Sequence, residues 1–200
     1  MLVVDSSDSM GEGAQARMRA AKGVVLALLH DAYQNRSEVA LIVFGGEQAR
    51  VVLPPTRSVR LAIDRLHRLP TGGATPFADG LFKAWQLVRR ERLKNPAVRP
   101  ILVIFSDGEA NVPMIAGSPP RAELLALAGS IARDQISTVL IDVVTEPAKA
   151  AELHLLARHL RASYAKASDL KPRTILAAVE EVGVRLERWG AATAGCMGTQ

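Results

Sequence analysis

Two carboxylates and three hydroxyls fall on five consecutive positions near the start of the chain, Asp5-Ser6-Ser7-Asp8-Ser9. Asp5, Ser7 and Ser9 alternate, so an extended or tightly turned backbone sends all three side chains to one side. Three oxygen ligands so arranged suit a hard cation. Mg²⁺ takes oxygens in a near-octahedral array and keeps several waters, and Mn²⁺ accepts similar oxygens. Ser and Asp before a helix also serve as N-caps. One cap explains one of these residues and leaves the alternation of three unexplained. An EF-hand loop is excluded, because its sixth position needs Gly and its twelfth Glu. Counted from Asp5, those places hold Met10 and Ala16.

Two distant stretches could add oxygens. Thr75 follows Gly72-Gly73 and precedes Pro76 and an amphipathic run. Thr at N-cap with Pro at the first helical position starts a helix, and the hydroxyl could also face a ligand. Asp107-Gly108 follows an apolar run and makes either a tight turn or a further ligand.

The elements that must position these residues follow from periodicity. Apolar runs at 1–5, 38–44, 49–53, 100–105 and 137–144 read as strands, with a short edge strand at 163–166. Amphipathic runs at 14–35, 58–69, 77–92, 121–134, 147–160 and 172–189 read as helices. Gly45-Gly46 joins the second and third strands as a hairpin, and Pro54-Pro55 ends the third. Strands alternating with helices predict an α/β fold: a doubly wound, mostly parallel six-stranded sheet with one antiparallel edge strand and helices on both faces. In such sheets ligands sit beyond the carboxyl ends of the strands, where the order reverses. With the order 3-2-1-4-5-6, the first and fourth strands meet at that reversal. Their ends carry Asp5-Ser6-Ser7-Asp8-Ser9 and Ser106-Asp107-Gly108.

One domain over 1–189 and a flexible tail over 190–200 are expected. A buried strand that begins at the first residue reads as part of a longer chain. The 200 residues carry 48% hydrophobic and 22% charged side chains, enough for one core. A single cysteine, Cys196, leaves no disulfide framework within the chain. No apolar run has the length of a membrane span, and a cytoplasmic location is the expectation. The net charge is +5. Its arginines lack the interleaved aromatics of a base-stacking surface, so an acidic protein segment is the better partner than nucleic acid. Asp142, inside an apolar run, reads as a hydrogen-bonded strand-end carboxylate.

The set of motifs resembles the von Willebrand factor A (integrin I-like) domain family. Asp5-x-Ser7-x-Ser9 looks like the strand-end motif of its metal-ion-dependent adhesion site, Thr75 matches its loop threonine, and Asp107 with Gly108 matches its later aspartate. A narrower resemblance is to the C-terminal domain of the D subunit of magnesium chelatase. It rests on the stretches 31–36, 39–44, 52–56, 69–76, 106–113 and 140–142. That enzyme uses ATP to insert Mg²⁺ into protoporphyrin IX.

The resemblance implies that Ser7, Ser9 and Thr75 offer hydroxyls to Mg²⁺ or Mn²⁺, while Asp5 and Asp107 bind directly or through water. An open coordination position then takes a partner's carboxylate. The partners implied are the AAA+ ATPase subunit, the porphyrin-binding subunit, or an acidic linker. The family commonly has Gly where this chain has Asp8. No Gly-x-x-x-x-Gly-Lys-Ser/Thr stretch is present, so ATP binding by that route is not expected. Two other readings stay open: service to another AAA+ machine, such as a cobalt chelatase or a MoxR-type ATPase, and a metal-assisted hydrolase. Against the latter, none of the four histidines falls near the polar clusters in the sequence.

Overall fold

The fold is built on a short, wholly buried strand. In the computed structural model, which describes residues 1–8, 23, 25–30, 32–68, 72–143 and 147–166, β1 (Leu2–Asp5) has all four residues buried. It is flanked by β2 (Val39–Phe44), also buried throughout, and by β4 (Ile101–Ser106). Both pairings are parallel, with Val4 opposite Val43 and Phe105. β5 (Ser137–Asp142) and β6 (Ser163–Lys166) extend the sheet beyond β4 in parallel. β3 (Arg50–Thr56) lies antiparallel on the far edge. The order is β3-β2-β1-β4-β5-β6, so the predicted reversal falls between β1 and β4.

Strand side chains alternate between faces, and the core divides accordingly. Val3, Ile42, Phe44, Leu102 and Ile104 share one face with α2 (Phe77–Lys94), α3 (Pro120–Arg133) and α4 (Pro147–Leu160). Leu2, Val4, Leu41, Val43 and Phe105 pack on the other against Val25, Leu28 and Leu29 of a helical stretch, and against α1 (Val59–His67). Ser58 caps α1 as expected, its hydroxyl accepting the Leu61 N–H at 3.4 Å.

Two local expectations are corrected. β3 does not stop at Pro54-Pro55 but runs through them to Thr56. It is an edge strand, and its register with β2 passes from Leu53 to Thr56 with neither proline among the paired residues, so the ladder does not need their missing N–H groups. Register irregularities between Val39 and Leu41 and between Leu41 and Ile42 each absorb one extra residue of β3. Thr75 is not the N-cap of α2; the cap position is Pro76, without a side-chain bond. The expected helix at 172–189, the tail at 190–200 and the first part of the helix at 14–35 lie outside the described residues. Among the described residues, no helix is long and apolar enough to cross a membrane.

Candidate metal centre

Three loops meet at the carboxyl end of the sheet, and each is tied to the other two. Gly72 N–H donates to the Ser6 carbonyl at 2.7 Å, and Asp8 N–H to the Gly73 carbonyl at 2.9 Å, joining the β1 loop to the Thr75 loop. The Asp8 carboxylate returns the contact, accepting the Gly73 N–H at 2.7 Å. Gly73 has a positive φ of 84°, and a Cβ there would lie 2.8 Å from the Gly46 Cα, so only glycine fits this crossing. The third loop, after β4, reaches Thr75 through Asn111. Thr75 N–H donates to Asn111 Oδ1 at 2.6 Å, and Asn111 N–H to the Thr75 carbonyl at 3.2 Å. The triangle closes where Ser106 Oγ donates to Asp5 Oδ2 at 3.0 Å.

Inside this frame the side chains are buried: Asp5 0% exposed, Ser7 2%, Thr75 0% and Asp107 1%. Asp5 Oδ1 accepts both the Ser7 hydroxyl at 2.6 Å and the Ser7 N–H at 3.0 Å. Asp107 Oδ1 accepts the Glu109 N–H at 3.1 Å. Its Oδ2 is buried and takes no hydrogen bond from any described residue. Lys149 Nζ stands 3.6 Å from it. A buried carboxylate oxygen without a donor is expensive. A hard cation satisfies it, and the donor set of two carboxylates with hydroxyls fits Mg²⁺ or Mn²⁺ better than a soft metal. Among the described residues no group of three or more His, Cys, Asp or Glu is arranged for a metal. Two carboxylates with hydroxyls would at most balance a bound dication and leave no excess negative charge at the centre.

Burial pushes the Asp5 carboxyl up from its usual 3.8 to about 7; the Asp107 charge adds to the rise, and the Ser7 and Ser106 bonds oppose it. The folded chain therefore holds a proton that the unfolded chain releases between those values. Stability from this group is complete below 3.8 and is lost as pH rises through 7. In chelator, the Asp5 contribution is expected to fall by about 2 kcal/mol between roughly pH 5.5 and pH 7, at about 1.4 kcal/mol for each tenfold fall in proton concentration. The Met1 amino group, which burial lowers from 8.0 to about 6, acts in the opposite sense between those two values. In urea unfolding, the stability of wild type relative to Asp5→Asn should therefore decline as pH rises toward 7; parallel pH profiles would remove the physical account of Asp5.

Of the residues the sequence nominates, Asp5, Ser7, Thr75 and Asp107 belong to the three joined loops. Ser9 lies outside the described residues. Asp8 is spent on Gly73, which gives the departure from the family pattern a structural role. The sequence pattern places Ser106 in the strand-end cluster without giving it a role and does not single out Asn111, although both lie in the 106–113 stretch that carries the family resemblance. Asp142 behaves as expected, accepting the Tyr164 hydroxyl. Three histidines make contacts elsewhere: His30 with Gln34, His154 stacked on Tyr164, and His159 with the Leu155 carbonyl. Part of the basic excess is structural, since Arg92 donates to the Asp134 carbonyl at 2.7 Å.

A family model described as von Willebrand factor type A domain matches residues 1–109. A magnesium-chelatase 67 kDa subunit of Chlorobaculum parvum is 37% identical over 188 residues, covering 89% of this chain and 30% of that protein. An uncharacterized protein of Methanocaldococcus jannaschii is 42% identical over 135 residues, covering 68% of this chain and 75% of that protein. The chain therefore spans less than a third of the chelatase subunit it matches. In three dimensions, the manganese-loaded TRAP protein of Plasmodium vivax superposes with a TM-score of 0.64 at 14% identity, over 84% of this chain and 68% of that one.

Proposed function

Since the chain belongs to the von Willebrand factor type A domain family, we infer that it is a metal-ion-dependent protein-interaction domain. Its setting would be that of a magnesium-chelatase D subunit, docking partner subunits during ATP-driven Mg²⁺ insertion into protoporphyrin IX. One observation carries this reading: two buried carboxylates at adjacent strand ends, with Asp107 Oδ2 taking no hydrogen bond from the described residues. Asp5, Ser7, Thr75 and Asp107, with Ser9, would hold the Mg²⁺ or Mn²⁺. The bound ion would keep an open coordination position that draws a partner's carboxylate. The chain's own residues do the rest. Asn111 and Asp8 hold the Thr75 loop, and Ser106 orients Asp5. No catalysis by this chain is required.

The relatives named as magnesium-chelatase subunits support the setting. The exposed arginines of β3 and α1, among them Arg50, Arg60 and Arg65, would steer an acidic surface of the ATPase subunit, the porphyrin-binding subunit or an acidic linker. A second setting, another AAA+ machine of the cobalt chelatase or MoxR type, would use the same cation-bridged contact.

The test is capture of the AAA+ ATPase subunit from the same source, in Mg²⁺ and in chelator, by wild type and by Asp5→Ala. Capture by wild type in Mg²⁺ alone is expected. Equal capture in all arms would refute the metal-dependent reading. Capture only of a MoxR-type ATPase would move the domain to the second setting.

A further inference from the structure

Lys149 comes from α4, far in sequence from the residues assigned to the cation. Its ammonium lies 3.6 Å from Asp107 Oδ2 and 3.5 Å from Glu109 Oε2. The first distance is too long for a hydrogen bond but close enough to balance charge. Its side chain is 33% exposed, whereas that of Asp107 is 1% exposed. Glu109 is itself anchored, its Oε1 accepting Asn111 Nδ2 at 3.1 Å, and Asn111 holds the Thr75 N–H. The lysine thus stands between two acceptors. One is the buried Asp107 oxygen, and the other belongs to the clamp on the Thr75 loop.

We propose that Lys149 is an internal competitor for the divalent cation: it balances Asp107 when no cation is bound and withdraws toward Glu109 when one binds. This rests on the reading of Asp107 as a cation ligand. An ammonium and a dication cannot share one carboxylate oxygen without strong repulsion in a site shielded from water. The flexible stem of lysine lets the charge retreat while staying paired. The oxygens alone would therefore bind a cation more tightly than the chain does. A partner's carboxylate, by adding negative charge, favours cation and displaced lysine together, so cation and partner bind as one event.

The experiment is a titration of the full chain with Mn²⁺, read as loss of the free-ion paramagnetic resonance signal. Wild type is compared with Lys149→Met, Lys149→Gln and Lys149→Arg. The two neutral variants are expected to tighten Mn²⁺ by up to about fivefold, the upper scale of a partly exposed ion pair. Lys149→Arg should stay within about twofold of wild type, because the charge is kept. Melting curves in chelator establish that each variant folds. Mn²⁺ binding by wild type with unchanged or weaker binding by both neutral variants would overturn the role of Lys149 alone. Absence of Mn²⁺ binding in every chain would overturn it together with the cation site.

Discussion

Asp107→Asn is expected to cost at least about 100-fold in Mg²⁺-dependent partner binding, while the cation-free protein melts a few degrees higher. Loss of affinity on that scale follows removal of even outer-sphere groups at metal sites, and a ligand should matter more. The gain in stability has a separate cause. Asp107 is buried, its Oδ2 takes no hydrogen bond from the described residues, and its charge helps to push the Asp5 carboxyl up. Asparagine keeps the side-chain oxygen that accepts the Glu109 N–H at 3.1 Å, so the turn after β4 survives. What disappears is the second buried negative charge. The contact with Lys149 is lost as well, but a pair with a partly exposed ammonium contributes no more than about 1 kcal/mol. A net gain near 1 kcal/mol raises the melting temperature by about 2–4 °C in a chain of this size. Binding is read by capture in Mg²⁺ and stability by melting in chelator. A variant that binds its partner like wild type would sink the cation-bridged mechanism. One that melts lower would show that Asp107 is structural first.

A large loss of stability is expected at Gly80, on the face of α2 that meets the sheet. A Cβ built there would lie 2.8 Å from Phe44 Cδ1 and 3.0 Å from its Cγ. Phe44 cannot give way easily: it is fully buried and stacked on Phe77, with ring centroids 4.7 Å apart. Gly80→Ala gains up to about 1 kcal/mol of helix propensity, but overpacking a tight core costs about 1–3 kcal/mol. The alanine variant should therefore lose on the order of 1 kcal/mol. Gly80→Val adds two methyls and a stiff χ1 and should lose about 3 kcal/mol or more, lowering the melting temperature by about 10 °C. The damage should also reach the site, because Phe77 opens α2 directly after Thr75-Pro76 and the Phe77 N–H donates to the Thr75 carbonyl at 2.9 Å. Cation affinity is expected to fall in step with melting temperature. An alanine variant that melts at or above the wild-type temperature would show that helix and sheet have room to part.

Much of this architecture is written in local pattern. The apolar runs ending in Asp5 and Ser106 announce buried strands, because a strand covered on both faces needs apolar residues at every position. The alternation of strand and helix then restricts the topology to a few choices. The order that follows makes β1 and β4 neighbours, and the register of Val4 with Phe105 sets Asp5 beside Ser106. Prolines mislead at one point: in β3 they looked terminal, yet an edge position tolerates them, and whether a strand is central or at an edge is settled by its neighbours.

Taken alone, the chain's order of residue types determined the fold class and nominated the cluster of Asp5, Ser7, Thr75 and Asp107, since each depends on periodicity or on a motif within a few residues, while the sheet order was one of a few choices left open. Tertiary structure alone decided how that cluster is held and charged. Asp8 bonds Gly73 across 65 positions, Asn111 grips Thr75 across 36, and Lys149 comes within 3.6 Å of Asp107 from another helix. No period encodes such contacts. A polar side chain in a loop has many possible partners, and the one it takes depends on how separate loops pack at the sheet edge.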